Sequence, residues 1–434
     1  MKCIQCGTDN TLKDRTGNNG RCKNCQHPFV FEPTTMGTRK VTDPLFAKAI
    51  ADLSANGTLF FTRKQFLYYL ENRLRTRGTL SVGFILFLLI FFNIWATGFI
   101  GGILSTVLGG PVWPFWLVPI LVNGIFILIL YRVSESSQGT YRSRKRAVRS
   151  LQVVGGILFI VGIICLVMFD LFLPFVAAVT LGIGAIYLGI LQQFKQSEIA
   201  QTFVIQSDFP GWVTKWQQVN GSIEKMLPLP REESTPVVID SDATAYSFDR
   251  LVVCDSAPVA QMLIANNFHF ENNCAILSIT GYPQSIFSTA MEMLRRNPEL
   301  QVYALHDCSP RGLELLHHLR SSPQWFPDST IAIIDVGLSP RQVMAVPGMF
   351  VQTSADSAAA ARQMPAEVRY ALSASEIIWL EAGNFVELES FTPKRLIQIL
   401  NRGIAGSRDL GRDPEGTFLL VGESGGYYMT ESFG

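Results

Sequence analysis

Four apolar stretches constrain this chain more than anything else in it. They fall at about 80–103, 112–131, 151–169 and 173–194. Each approaches or exceeds the roughly 20 residues that a helix needs to cross hydrocarbon, so residues 79–194 read as four transmembrane helices. The flanks set their direction. "ENRLRTRG" precedes the first span and "YRVSESSQGTYRSRKRAVRS" separates the second from the third, while "GGPVWP" and "DLFLP" carry no Lys or Arg. By the positive-inside rule both termini face the cytoplasm, as in a bacterial-type inner membrane, with Trp113 and Trp116 near one interface. Arg142, Arg144, Lys145, Arg146 and Arg149 of the middle loop fit that topology. The same charges also suit anionic lipid or nucleic-acid phosphates.

Over all 434 residues the formal net charge is +1, so no global basic field advertises nucleic acid. The N-terminus has no apolar signal-peptide core, so the first span is expected to serve as the membrane signal. Of eight cysteines, four lie in the first 25 residues. That is no secreted disulfide framework, and it suits a reducing compartment. "CIQC" and "CKNC" place Cys3, Cys6, Cys22 and Cys25 as two CxxC knuckles. Two knuckles close a tetrahedron of soft ligands, which suits zinc with no position left open. Residues 1–31 therefore read as a zinc ribbon with a structural ion, because so short a segment cannot fold on its own core. His27 lies outside the ligand set. Such a ribbon binds nucleic acid, protein partners, or neither.

After a polar linker, residues 43–78 show a helix, a turn at "ANGT", a short strand Leu59–Phe61 and a second helix capped by Thr62, a helix-turn-helix or winged-helix rhythm. Residues 195–240 read as a polar connection. Residues 241–434 then alternate apolar runs (Arg250–Cys254, Ala275–Ile279, Gln301–Leu305, Ile331–Ile334) with helical patterns, as in a Rossmann-like parallel sheet covered on both faces. Ligands of such sheets sit beyond the strands' carboxyl ends, where Asp255, Asp307 and Asp335 fall. Two readings stand side by side. The three acids hold Mg²⁺, or "DSAP" and "DCSPRG" cap the helices that follow.

"LVVCDSAPVA" and "ALHDCSPRG" resemble the two metal motifs of the Toprim domain, an acid ending the first strand and DxD ending a later one. "FTRKQFLYYLENR" is similar to the tyrosine motif of the topoisomerase VI A subunit and its meiotic double-strand-break relatives, with Tyr68 in the matching place. "VELESFTPKRLIQILNRGI" (386–404) resembles that family's terminal segment. The resemblance implies a Toprim-like fold, a Mg²⁺ niche at Asp255, Asp307 and Ser309, to which the strand-end reading adds Asp335, Tyr68 as catalytic nucleophile and DNA as partner; a homodimer is a further expected partner. The departures point to a degenerate member. Asp255 replaces a Glu, Ser309 replaces the second Asp of DxD, membrane spans interrupt the chain, and no wing follows Leu74. Tyr68 also reads simply as a core aromatic. Three functions follow: a DNA-binding or regulatory scaffold that has lost its metal chemistry, an active Mg²⁺-dependent DNA-cleaving enzyme, or a zinc-ribbon membrane adaptor for protein partners.

Overall fold

A computed structural model describes residues 1–406 apart from 38, 77–81, 137–140, 196–200, 231–248, 296, 298, 328 and 347. The chain divides into two compact units. Residues 75–202 form one, and residues 1–74 with 203 onward form the other.

The first of these holds four helices long and apolar enough to cross a membrane: Gly83–Val107, Pro114–Glu135, Ser143–Met168 and Phe172–Gln193. The third begins earlier than its apolar run, because one continuous helix, Tyr141–Phe169, carries the Arg-rich segment into the span. In hydrocarbon, close packing and interhelical hydrogen bonds replace the hydrophobic effect as glue. Both are present. A Cβ on Gly155 would meet the Gly182 carbonyl at 2.7 Å, and one on Gly182 would meet the Gly155 carbonyl at the same distance. Asn93 and Asn123 exchange side-chain amide hydrogen bonds of 3.3 and 2.9 Å between the first two spans.

The second unit starts with the two cysteine knuckles, joined through a short helix, α1 (Leu12–Gly17). Arg15 makes a two-pronged ion pair with Glu32 (2.8 and 3.0 Å). Buried Asp43 accepts the backbone N–H groups of Val30 and Phe31 at 2.9 and 3.0 Å, tying the ribbon to the helix that follows. That helix is α2 (Asp43–Leu53), and α3 (Arg63–Thr76) comes next. The expected strand before α3 reduces to a parallel bridge between Phe61 and Met226. Residues 195–240 are more than the connection expected of them, because Phe209–Asn220 is a helix. Its apolar residues Phe209, Trp212, Val213 and Trp216 recur at helical spacing. They complete the core of α2 and α3, with Phe46–Trp216 ring centroids 4.8 Å apart and Phe66–Phe209 5.4 Å. The helical module is thus built from both flanks of the membrane segment.

Four parallel strands follow: β1 (Arg250–Cys254), β2 (Cys274–Ser278), β3 (Gln301–Leu305) and β4 (Ala332–Asp335), in the order β2-β1-β3-β4. Side chains alternate across the sheet. Val252, Cys254, Ile276, Tyr303 and Leu305 face one core, while Leu251, Val253, Leu277, Val302 and Ala304 face the other. The last described helix, Pro393–Gly406, covers the first face through Leu396, Leu400 and Ile404. A small antiparallel pair, β5 (Gln352–Thr353) and β6 (Asn384–Phe385), lies beyond the main sheet's sequence.

Candidate functional site

The four cysteine sulfurs all lie within 4.8 Å of one another. Cys3–Cys25 and Cys6–Cys22 are each 3.6 Å apart. A tetrahedral ion with bonds of about 2.3 Å needs sulfurs about 3.8 Å apart, so the four thiols fit a metal ion. The two knuckles repeat one backbone device. Gly7 donates to the Cys3 carbonyl and Gln26 to the Cys22 carbonyl, both at 3.0 Å, and both residues adopt positive φ. The Asn10 amide donates to Cys22 Sγ (3.5 Å) and to the Thr8 carbonyl (2.9 Å), fixing one knuckle against the other.

The second candidate site lies at the carboxyl edge of the sheet. From β1 the chain goes outward to β2, then crosses back to β3 on the other side, so the topological switch point falls between β1 and β3. Asp255 follows β1 and Asp307 lies two residues past β3. They meet, because the Asp307 N–H donates to Asp255 Oδ2 at 2.6 Å. Burial pushes the Asp255 carboxyl well above the usual range, and the neighbouring Asp307 charge adds to that. Burial also raises Asp307, against the lowering effect of the Ser309 hydroxyl.

The cap reading of Asp307 needs correction. Ser309 caps the helix Pro310–Leu313, accepting from the Gly312 N–H at 3.0 Å, and its own hydroxyl donates to Asp307 Oδ1 at 2.6 Å. Asp307 orients the cap instead of being it. Gly312 has to be glycine, since a Cβ there would run into the Asp307 carboxylate and carbonyl.

Asp335 does not complete a triad. Its side chain is 48% exposed and bonded to His306 Nε2 at 3.1 Å. Among the described residues only the cysteines bring three or more ligand atoms within 4.8 Å of one another. His306 is 1% exposed, and its Nδ1–H donates to the Asp307 carbonyl at 2.8 Å. Burial would lower its pKa, but Asp335's charge and hydrogen bond outweigh burial and lift it to about 9. The niche thus contains its own cation, an imidazolium. Gly337 leaves the room for it, since a Cβ there would collide with the ring.

Tyr68 reaches this edge within the same chain. Thr62 caps α3 with Gln65 in a reciprocal pair (2.9 and 3.1 Å), which aims the helix's first turns at the α/β part. The phenol is 3% exposed, donates to Glu387 Oε2 at 2.5 Å and accepts from the Gln352 amide. Its ring packs on Phe203 and Phe350. Burial, then the Glu387 charge, keeps it protonated far above the ordinary tyrosine range. Glu387 also pairs with Lys64 at 2.6 Å, and Glu389 accepts from Thr62 Oγ1 at 2.7 Å.

Sequence reasoning missed His306, Gln352, Glu387 and Glu389. The last two come to Asp307 because an antiparallel bridge joins Cys308 to Val386, and β5–β6 delivers Gln352 to the same phenol. One weak signal existed for the glutamates, the alternation of acidic and apolar residues in "VELES". The chain matches no protein-family model and no curated protein.

Proposed function

We propose that this is a membrane-anchored regulatory or scaffold protein, in which a zinc ribbon and a degenerate topoisomerase-VI-A-like Toprim domain sit at the cytoplasmic membrane face and cut no strand. The observation that carries this reading is the Tyr68 hydroxyl, buried and spent on Glu387 in its own chain. A nucleophilic phenol must lose its proton with its oxygen open to phosphorus, and a cation must stabilise the leaving oxygen. Here the phenol faces a carboxylate, and burial raises both adjoining acids.

Four thiolates in a closed set favour zinc. The core shared by Phe46, Phe66, Phe209 and Trp216 supports an even number of crossings, because the chain must return to the side it left. The Arg-rich inner loop makes that side the cytoplasm. The convergence of Glu387 and Glu389 on Asp307 favours, as the second reading, a Mg²⁺-dependent enzyme. Full-length protein incubated with supercoiled plasmid and Mg²⁺ decides between them. The expected result is neither nicking nor a covalent protein–DNA adduct; cleavage that disappears in Tyr68→Phe establishes the enzyme instead. Retention of duplex DNA that falls steeply with salt separates a DNA-holding scaffold from a protein adaptor.

A further inference from the structure

We propose that the outer edge of β4 is the docking site of the chain's own segment Thr417–Val421, which adds a fifth strand to the main sheet. The two outer strands of that sheet differ. All five residues of β2 are buried, whereas Ala332 and Asp335 of β4 are exposed and Ile333 and Ile334 are half-buried. Successive residues of a strand direct their backbone groups to opposite edges. Val336 and Leu338, just past β4, donate to the Ala304 and His306 carbonyls at 3.0 Å each, so the even-numbered residues face β3. Ile333 and Asp335 therefore turn their backbone N–H and C=O groups outward, where no described residue takes them up. An apolar edge left open in this way is a template for another strand. Ile334 packs against the first core and Ile333 against the second, each only partly buried. The neighbour that completes this edge must therefore carry apolar side chains on both faces.

The position of the last described helix points to that neighbour. Gly403 lies directly on Val336, the residue after β4, since a Cβ there would meet Val336 Cγ1 at 3.0 Å and Cβ at 3.6 Å. Gly406, where the helix Pro393–Gly406 ends, is three positions further on, so the described chain finishes beside β4. Ten residues, 407–416, then separate it from "TFLLV", a run that lies between Gly416 and Gly422. Consecutive apolar positions bounded by glycines are the pattern of a strand covered on both faces. The run is as long as β1, β2 and β3, five residues each. Ten residues reach up to about 33 Å, so the segment can meet β4 in either direction. The docking needs no second protein and is independent of the Toprim-like reading of the niche.

Hydrogen exchange on the full 434-residue protein in detergent, read residue by residue at the Ile333 and Asp335 amides, tests the docking. Both amides are protected in the full chain. Ending the chain at Gly416 speeds their exchange at least about tenfold, equivalent to about 1.4 kcal/mol of lost pairing, while 301–305 of β3 stay protected. If the shorter chain loosens β3 as well, Leu419→Pro and Leu420→Pro are made separately in the full chain and scored by the same criterion. One of two neighbouring residues must donate towards β4, and proline removes that donor. Fast exchange of both amides in the full chain overturns the docking. Protection that survives the loss or disruption of 417–421 with β3 intact also overturns it and assigns the edge to another occupant. Protection of the full chain that falls on dilution assigns the edge to a second copy and overturns it likewise.

Discussion

The cysteine knuckles and the acidic niche are both clusters of ionisable side chains, yet they solve opposite problems. At the knuckles four like sulfurs approach within 4.8 Å, and as thiolates they call for an external cation. At the niche the protein supplies its positive charge internally. His306 sits against Asp335, and Lys64 sits against Glu387. The remaining pair, Asp255 and Asp307, is buried, and burial raises both carboxyls above the ordinary range. A divalent ion arriving there would have to offset the cost of ionising buried acids and compete with a resident imidazolium. The comparison teaches that ligand type alone does not define a metal site; the charge left uncompensated does.

The largest expected effect is at the knuckles. Purified protein should carry about one zinc per chain, because a structural zinc site of four thiolates contributes on the order of 10 kcal/mol to folding. Cys22→Ser should lose the ion and unfold the ribbon, seen as zinc loss by elemental analysis and rapid proteolysis before residue 43. Protein that holds stoichiometric zinc despite the substitution breaks the contrast at its stronger end. Conversely, equilibrating the intact protein with Mg²⁺ should leave its melting temperature unchanged within a degree or so, as a self-neutralised niche requires.

The difference between the regions also explains what the sequence disclosed. The knuckle is local: its four ligands span 23 positions, and the spacing alone encodes the geometry. The spans are equally local, since apolar length and flanking charge suffice. The niche is assembled from residues 52 to 319 positions apart, and register decides which of them meet. Asp255 and Asp307 were visible because strand ends can be read from apolar runs. Glu387 was not, because nothing in "VELES" announces the bridge to Cys308. His306 was hidden in plain view. A histidine at the end of a strand reads as core until its partner, Asp335 on the next strand, is placed. The helix Phe209–Asn220 was legible in principle, with Asp208 and Pro210 at its start and apolar residues at helical spacing, but its partners lie on the far side of the membrane segment.

The next effect in size tests the internal cation. A group whose pKa is raised on folding contributes stability that is complete below its unfolded value and is lost as pH rises through its folded value. For His306 that window runs from about 6.5 to about 9. The pair with Asp335 is therefore worth on the order of 3 kcal/mol at pH 6, lost by pH 10. Thermal unfolding followed by tryptophan fluorescence should show that decline, and Asp335→Asn should flatten it. An undiminished slope in the variant means His306 is neutral and the niche lacks its own charge.

Smaller still is the contribution of the Tyr68 hydroxyl. Tyr68→Phe leaves Glu387 without one donor and the Gln352 amide without its acceptor, at a cost of about 1–3 kcal/mol. Lys64 still neutralises Glu387, which keeps the loss towards the lower end. Zinc content should not change, since the ribbon is anchored through Asp43 and Glu32 instead. A loss of zinc in this variant would mean that the two regions are energetically coupled.

The smallest effect is expected at Asp307, and there the sign matters more than the size. Were Asp307 a metal ligand, Asp307→Asn would destabilise the ion-loaded protein; were it the cap of Pro310–Leu313, asparagine would serve about as well. The geometry assigns both duties elsewhere: Ser309 makes the cap, and the charge is surplus beside Asp255. An asparagine keeps an oxygen for the Ser309 hydroxyl and turns an N–H towards Asp255, which can then ionise without a charged neighbour. Buried acids with raised pKa values withdraw stability as pH climbs above their unfolded value near 4. The variant should therefore melt with the wild type at pH 4 and gain stability by pH 8, by about 1 kcal/mol for each pKa unit by which Asp255 is relieved. A loss of several degrees at pH 8 in the variant, together with stabilisation of the wild type alone by millimolar Mg²⁺, would show that Asp307 serves an ion after all, and the niche would then belong in the same class as the knuckles.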